Sequence, residues 1–280
     1  MNFQTELFFN YLEKIPSRTF GDRFNLPYFI RDGYKLYYYQ EGTGQPIVFI
    51  HGYLGSSQSH WGYQLNDPKL NSRYQLIAPD LRGYAKSSIG KRVEKHQTSD
   101  HILDLHFLLS QLQLKQKPVF VGYSIGGTLV LMYTLKYPDN VQSIVLVSPR
   151  PFIGKETRSW NFLAKEKRSG EQKSFLISFL WKIVKQIQRI ITYISIKRHY
   201  KGSSLYLQQL EQIDVPLLIL YGKKDTVNPS ITYTVLKKHL PQAEVIELDC
   251  DHGITHELSE VFNEILYQFL SQTTEQSIQD

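Results

Sequence analysis

The sequence has very little cysteine and no long uncharged apolar run. Its 280 residues include one cysteine, Cys250, which excludes an internal disulfide framework and fits a reducing compartment. No run approaches the roughly 20 apolar residues that a membrane-spanning helix needs. The first 16 residues lack the basic region and the small-residue cleavage site of a signal peptide. We therefore expect a cytoplasmic protein, either soluble or attached peripherally to a membrane.

Basic residues are in excess, but no nucleic-acid-binding motif accompanies them. The formal net charge is +6 and the pI about 9.1, yet the chain has no RNP, helix-turn-helix or zinc-finger pattern. The excess comes from residues 150–202, which hold 13 Lys and Arg against three Glu. We therefore expect no nucleic-acid partner. A hydrophobic content of 41% is enough for a sizeable folded core.

The most informative stretch is residues 119–127, an apolar run that ends in a serine bracketed by glycines. The β-branched and aromatic residues before Gly122 predict a buried strand, and the apolar spacing of Thr128 to Tyr137 predicts a helix. Ser124 then lies on the corner between them. A sharp turn exposes the serine hydroxyl, and the helix N-terminus directs unpaired N–H groups at any oxyanion that forms there.

The segment Gly122-Tyr123-Ser124-Ile125-Gly126-Gly127 resembles the nucleophile elbow of the α/β-hydrolase superfamily. The resemblance covers about residues 26–149 and 213–272. It implies an α/β fold with a mostly parallel sheet of the eight-stranded type, flanked by helices and carrying an inserted helical cap. It also implies a catalytic triad in the chain order serine, acid, histidine.

The remaining patterns fit that fold. Asp32-Gly33 predicts a two-residue hairpin between the first two strands. The predicted strands are Pro27–Arg31, Lys35–Glu41, Pro46–Ile50, Tyr74–Pro79, the strand before Gly122, Ser143–Val147, Pro216–Tyr221 and Ala243–Leu248, with a helix over Asp100–Leu112 capped by Thr98 or Ser99. An amphipathic helix is expected over Met1–Pro16. The predicted hydrolase core is 1–149 and 211–280, with the cap at 150–210.

Two downstream segments resemble the family's other triad motifs. Gly222-Lys223-Lys224-Asp225 follows a predicted strand and is similar to the acid motif G-x-x-D. His252, with Glu257 five residues later, is similar to G-H-x4-E, although Asp251 replaces the usual glycine. The resemblance implies that Ser124 is the nucleophile, His252 the base and Asp225 the residue that orients the base. His256, one helical turn later, is the rival base.

The loop after Pro46–Ile50 begins His51-Gly52-Tyr53 and resembles the family's oxyanion loop. The resemblance implies an oxyanion hole made by the backbone N–H groups of Tyr53 and Ile125, with His51 in a structural role. Residues 80–87 resemble the family's D-x-R-G-x-G-x-S loop, with alanine at the second glycine. There we expect a structural ion pair between Asp80 and Arg82.

Two other patterns have simple structural interpretations. A strand rather than a helix follows Gly42-Thr43-Gly44, so we expect a turn and not a phosphate loop. His101 and His106 lie near Asp100 and Asp104, but two histidines five residues apart are about 140° apart around a helix. We therefore expect no metal site, and the resemblance implies no cofactor.

A serine nucleophile argues against the dehalogenase and epoxide-hydrolase members of the family, whose nucleophile is a carboxylate. We expect hydrolysis of a carboxylic ester or thioester on a small-molecule or acyl-lipid substrate. Three alternatives stay open: carbon–carbon bond hydrolysis, a lyase reaction such as that of the menaquinone pathway, and a ligand receptor.

The predicted cap has a polar stripe opposite a broad apolar face. The stripe comprises Ser178, Lys182, Lys185, Arg189 and Thr192. The apolar face could roof the active site and pack on the core. Alternatively, the basic cap could contact an anionic membrane, to which each basic residue near the surface contributes about 1 kcal/mol.

Overall fold

We analysed a computed structural model, which describes residues 26–53, 55–87, 98–150, 207–225, 227–228 and 230–279. The predicted helix over Met1–Pro16 lies outside these residues, as does nearly all of the predicted cap at 150–210. Both stay predictions.

An eight-stranded sheet forms the centre of the molecule, as the sequence predicted. Its strands lie in the order β1-β2-β4-β3-β5-β6-β7-β8. The pairs β1–β2 and β2–β4 are antiparallel, and every other pair is parallel. The strands are β1 (Tyr28–Arg31), β2 (Tyr34–Glu41), β3 (Gln45–Ile50), β4 (Tyr74–Pro79), β5 (Val119–Tyr123), β6 (Ser143–Val147), β7 (Leu217–Gly222) and β8 (Glu244–Leu248).

Helices cover both faces of this sheet, as a parallel sheet requires. The described helices are α1 (Ser57–Leu65), α2 (Pro68–Arg73), α3 (Thr98–Leu112), α4 (Ile125–Lys136), α5 (Leu207–Leu210), α6 (Ile231–His239), α7 (Ile254–Glu257) and α8 (Ser259–Gln279), with a 3₁₀ turn at Pro138–Asn140. The patterns had predicted α3 and α4 to within three residues at each end. They had not predicted α1, α6 or α8.

Successive residues of the central strands enter two separate hydrophobic cores, because side chains alternate between the faces of a strand. Val48 packs on one face with residues of α3 and α4, such as Leu105 and Val130. Its neighbour Phe49 packs on the other face with Trp61 of α1 and Phe262 of α8. Burial on both faces explains why β3, β5 and β6 are almost continuously apolar.

The predicted hairpin at Asp32-Gly33 is confirmed. Both residues have positive φ angles, 52° and 79°, and the flanking strands pair in register from Arg31 opposite Tyr34. A type I′ turn requires positive φ at both central residues, and asparagine or aspartate followed by glycine favours this turn. This hairpin starts the antiparallel edge of the sheet.

The prediction of an ion pair between Asp80 and Arg82 is wrong, because each of these residues has a different partner. Arg82 contacts the carboxylate of Asp104, with Arg82 Nε 2.8 Å from Oδ2. Arg31 also donates to Asp104, at 2.7 Å. Asp80 instead accepts from the backbone N–H and the hydroxyl of Ser57, both at 2.9 Å. Asp80 therefore anchors the start of α1.

Candidate active site

The predicted nucleophile lies on a tight turn between β5 and α4. Ser124 has φ 53° and ψ −115°, a conformation that is strained for any residue with a Cβ. Its N–H donates to the carbonyl of Val147 at 2.9 Å, and its carbonyl accepts from Gly127 at 3.0 Å. These bonds hold the strained turn, which ends at the carboxyl edge of the sheet, where open α/β sheets carry their sites.

The glycines on each side of the turn permit a close approach of backbone to backbone. A Cβ at Gly126 would lie 2.2 Å from the carbonyl oxygen of Ile50, and one at Gly122 would lie 2.7 Å from the Gly126 backbone. Neither position has room for a side chain. The close contacts bring the N-terminus of α4 directly against the end of β3.

The predicted acid and base meet although 27 residues separate them in sequence. Asp225 Oδ2 lies 2.7 Å from His252 Nδ1. The Asp225 side chain is fully buried and that of His252 is 15% exposed. Because a carboxylate can only accept a hydrogen bond, Nδ1 carries the proton and Nε2 is left as the acceptor. This is the tautomer that a general base for a serine hydroxyl needs.

Backbone and side-chain donors fix the carboxylate of Asp225. The N–H groups of Val227 and Asn228 each donate to Oδ1 at 2.8 Å, and the hydroxyl of Tyr233 donates to Oδ2 at 3.4 Å. The Asn228 amide in turn donates to the carbonyl of Ser148 at 2.9 Å. The last of these bonds ties the loop after β7 to the end of β6.

The loops after β7 and β8 lie against each other. A Cβ at Gly222 would lie 2.2 Å from the carbonyl oxygen of Asp251. The N–H of His252 donates to Asp251 Oδ1 at 2.8 Å, and the N–H of Asp251 contacts Glu257 at 3.3 Å. The aspartate that replaces the family's glycine thus takes part in holding the histidine loop.

The ring of Tyr123 links the nucleophile turn to the candidate base. Tyr123 directly precedes Ser124, and its ring centroid lies 5.2 Å from that of His252. The structure therefore brings His252 beside the nucleophile turn and into contact with Asp225.

His256, the rival base, has other partners. Its Nε2 contacts the carbonyl of Ser59, and its Nδ1 lies 2.8 Å from the hydroxyl of Thr255. Burial lowers the pKa of His256, so the neutral ring is favoured. These contacts describe a histidine that joins α7 to α1.

The predicted oxyanion loop lies directly against the nucleophile. A Cβ at Gly52 would be 2.8 Å from the Tyr123 ring and 3.3 Å from Ser124 Cβ. His51 Nε2 accepts the N–H of Leu81 at 3.0 Å, so its Nδ1 carries the proton that is donated to the Gly52 carbonyl at 2.8 Å. Burial lowers the pKa of His51. His51 thus makes the structural contacts expected of it.

Patterns in the sequence missed three residues around the site. His60 accepts the N–H of Gly52 at 3.1 Å, Tyr233 contacts Asp225, and Asn228 bridges to Ser148. None of them belongs to a motif with fixed spacing. Within the described part of the chain, no group of three or more His, Cys, Asp or Glu side chains could hold a metal ion. None of the helices described there is long and apolar enough to cross a membrane.

Comparisons with known proteins agree with this architecture. A family model described as alpha/beta hydrolase fold matches residues 45–176. Lipase 1 of Psychrobacter immobilis is 25% identical over 246 residues, which is 79% of this chain and 75% of that protein. A cis-3-alkyl-4-alkyloxetan-2-one decarboxylase of Shewanella oneidensis is 24% identical over 282 residues, which is 87% of each chain.

Among solved structures, a membrane phospholipase A described as a bacterial virulence factor superposes with a TM-score of 0.74. The alignment has 17% identity and covers 89% of this chain and 86% of that one. Fold, site and relatives together define an enzyme of the hydrolase class. The chain has the fold of the α/β-hydrolase superfamily.

Proposed function

We propose that the protein is a serine hydrolase that cleaves a carboxylic ester or thioester through an acyl-enzyme on Ser124. The observation that carries the proposal is the 2.7 Å contact between His252 Nδ1 and Asp225 Oδ2, beside the strained turn of Ser124. That contact orients the imidazole and leaves Nε2 to take the serine proton.

In acylation, the Ser124 hydroxyl oxygen attacks the carbonyl carbon as its proton passes to His252 Nε2. The resulting oxyanion is stabilised by the N–H groups of Tyr53 and Ile125. His252 then gives the proton to the alkoxide or thiolate that leaves, and the carbon–oxygen or carbon–sulfur bond breaks. Asp225 stabilises the imidazolium that exists between the two proton transfers.

In deacylation, water replaces the leaving group. The oxygen of the water molecule attacks the acyl carbon while His252 Nε2 takes a proton from the water. The bond to Ser124 breaks, and the proton returns to the serine oxygen. The products are a carboxylic acid and the free enzyme, and the cycle needs no cofactor.

The substrate class is an acyl compound, either a small molecule or a lipid. The similarity to Lipase 1 supports this choice. The 13 basic residues of segment 150–202 favour peripheral contact with an anionic membrane on the cytoplasmic side, which would bring the enzyme to an acyl-lipid substrate.

The test is a series of p-nitrophenyl esters of increasing acyl length, measured with the wild type and with Ser124→Ala. We expect turnover of at least one ester by the wild type and a loss of at least about 10⁴-fold in Ser124→Ala. Near-normal turnover by a clean preparation of Ser124→Ala would overturn the mechanism.

A second candidate is a lyase reaction or carbon–carbon bond hydrolysis on the same triad. The specific observation that favours it is the similarity to a decarboxylase over 87% of the chain. Such an enzyme would leave every ester intact but still bind a fluorophosphonate at Ser124. A ligand receptor would bind its ligand without turnover of any kind.

A further inference from the structure

His60, on the second turn of α1, lies inside the wall of the candidate site. Its side chain is buried, with the residue 3% exposed. The ring packs edge-on against Tyr123, with centroids 4.8 Å apart. The loop after β3 passes so close that a Cβ at Gly55 would lie 1.9 Å from His60 Cε1. The imidazole is therefore wedged between this loop and the nucleophile turn.

The hydrogen bond from Gly52 determines the state of this ring. The Gly52 N–H donates to His60 Nδ1 at 3.1 Å, so Nδ1 is unprotonated and the proton of the neutral ring is on Nε2. Burial lowers the pKa of His60 well below 6.5, and the neighbouring His51, His256 and His252 lower it further. A protonated His60 could not accept the Gly52 N–H.

Two histidines hold Gly52 from opposite sides of the residue. His60 accepts its N–H, and His51 donates to its carbonyl at 2.8 Å. The next peptide unit joins the Gly52 carbonyl to the Tyr53 N–H, which point in opposite directions across a planar trans peptide. Glycine has no side chain to limit its backbone rotation. The direction of the Tyr53 N–H therefore depends on both histidines.

We infer that His60 is a positioning residue for the oxyanion loop: its imidazole Nδ1 holds Gly52 so that the Tyr53 N–H meets the oxyanion. The inference rests on the proposed acyl transfer, because only an oxyanion needs that N–H. His60 touches neither the substrate nor the reacting atoms in this role. A misplaced donor weakens binding of the transition state more than binding of the substrate.

Three substitutions separate the hydrogen bond from the packing. His60→Phe keeps a ring against Tyr123 but removes the acceptor. His60→Asn places a carboxamide oxygen near the position of Nδ1, whereas His60→Gln places its amide near that of Nε2. We expect kcat of His60→Phe to fall about 10- to 100-fold, which is no more than the loss expected on removal of a direct oxyanion donor. The KM of His60→Phe should stay within about twofold of the wild-type value. His60→Asn should recover most of kcat, and His60→Gln less.

A transition-state analogue supplies the second measurement. A trifluoromethyl ketone forms an oxyanion on Ser124, so its inhibition constant should rise in parallel with the loss of kcat/KM across the variants. The matched control is His106→Phe, which replaces a half-buried histidine that stacks on Tyr137. This control should leave both quantities unchanged. Wild-type kcat and wild-type inhibitor affinity in His60→Phe would overturn the inference. An equal loss of kcat in His60→Phe and His60→Asn would also overturn it.

Two readouts keep this inference distinct from the proposed function. If the wild type hydrolyses no ester or thioester, the proposed function fails, whether or not a fluorophosphonate labels Ser124. In the wild type, ¹⁵N NMR should show His60 Nδ1 as an unprotonated acceptor at neutral pH. The amide signals of Gly52 and Tyr53 should move in His60→Phe and return in His60→Asn. Unmoved amide signals would overturn the positioning role whatever the reaction is.

Discussion

The hydroxyl of Tyr233 donates to Asp225 Oδ2, the same oxygen that contacts His252 Nδ1. The donor lies 3.4 Å away on α6, and the Tyr233 ring stacks on Tyr221 with centroids 4.0 Å apart. Burial and the nearby Asp225 raise the pKa of Tyr233, so the hydroxyl stays protonated and remains a donor. The tyrosine thus shares the carboxylate with the candidate base.

Removal of this hydroxyl should change the pH dependence of the reaction. In Tyr233→Phe, Asp225 loses one donor and attracts the proton of the imidazolium more strongly. We expect the acidic limb of the kcat/KM profile to move to higher pH by less than about one unit, because the lost bond is long. Tyr221→Phe keeps the stacked rings and should leave the profile in place. A shift of the same size in both variants would contradict the role of the Tyr233 hydroxyl.

The choice of His252 over His256 can be tested by covalent labelling. A fluorophosphonate should label Ser124 in the wild type, and the rate should fall by at least about 10³-fold in His252→Ala. His256→Ala should label at nearly the wild-type rate, because this ring contacts Ser59 and Thr255. Asp225→Asn should retain more activity than His252→Ala. Normal labelling of His252→Ala with loss in His256→Ala would reassign the base.

Two helical glycines should respond oppositely to alanine. A Cβ at Gly126 would lie 2.2 Å from the carbonyl oxygen of Ile50, whereas one at Gly62 meets nothing within 4 Å. We expect Gly126→Ala to destabilise the fold by about 2 kcal/mol or more, through overpacking against backbone. Gly62→Ala should stabilise it by about 0.5 to 1 kcal/mol, from helix propensity. Urea unfolding measures both, and similar values for the two would contradict the close contact between α4 and β3.

Stability should fall as the pH drops below about 6.5. Burial lowers the pKa values of His51, His60 and His256 in the folded state, so the unfolded chain binds more protons in this window. The folded state is thus favoured above pH 6.5, the ordinary histidine value, and loses stability as the pH falls toward the depressed values. In His60→Asn, the proton uptake on unfolding should fall by about one proton. The proton uptake is measured as the slope of the free energy of unfolding against pH, from denaturant unfolding between pH 5 and 8. The same slope in the wild type and His60→Asn would contradict a neutral, buried His60.

Membrane contact of the basic segment can be measured with lipid vesicles. The wild type should cosediment with vesicles that contain phosphatidylserine at low salt, and high salt should release it. A triple variant with Lys182, Lys185 and Arg189 changed to Gln should bind about 10-fold or more weakly, since each basic residue near the surface contributes about 1 kcal/mol. Vesicles of neutral lipid are the control. Equal and negligible binding of both proteins to both kinds of vesicle would leave the segment without a membrane role.

Local patterns were enough to predict much of the fold. Each central strand is buried on both faces, and such strands are short apolar runs whose ends can be read from the neighbouring residues. The bounds of Tyr74–Pro79 and Ser143–Val147 were predicted to the residue. The turn at Ser124 could be predicted because its glycines are needed at fixed positions within one short segment. Helix α1 was missed because its hydrophobic pattern is weak: buried Trp61 and Leu65 alternate with His60 and Gln64, which are also buried.

The sequence by itself determined the positions of the eight strands, because those depend on local apolar periodicity. The resemblance of its short motifs to the α/β-hydrolase superfamily implied the mostly parallel arrangement and the chain order of the triad candidates. Only the tertiary structure decided which distant side chains meet. Arg82 contacts Asp104 and not the nearby Asp80, and His60 accepts a bond from Gly52. Tyr233 and His252 share one oxygen of Asp225. Such contacts join elements that fold separately along the chain, and no spacing within one segment encodes the direction in which a buried side chain points.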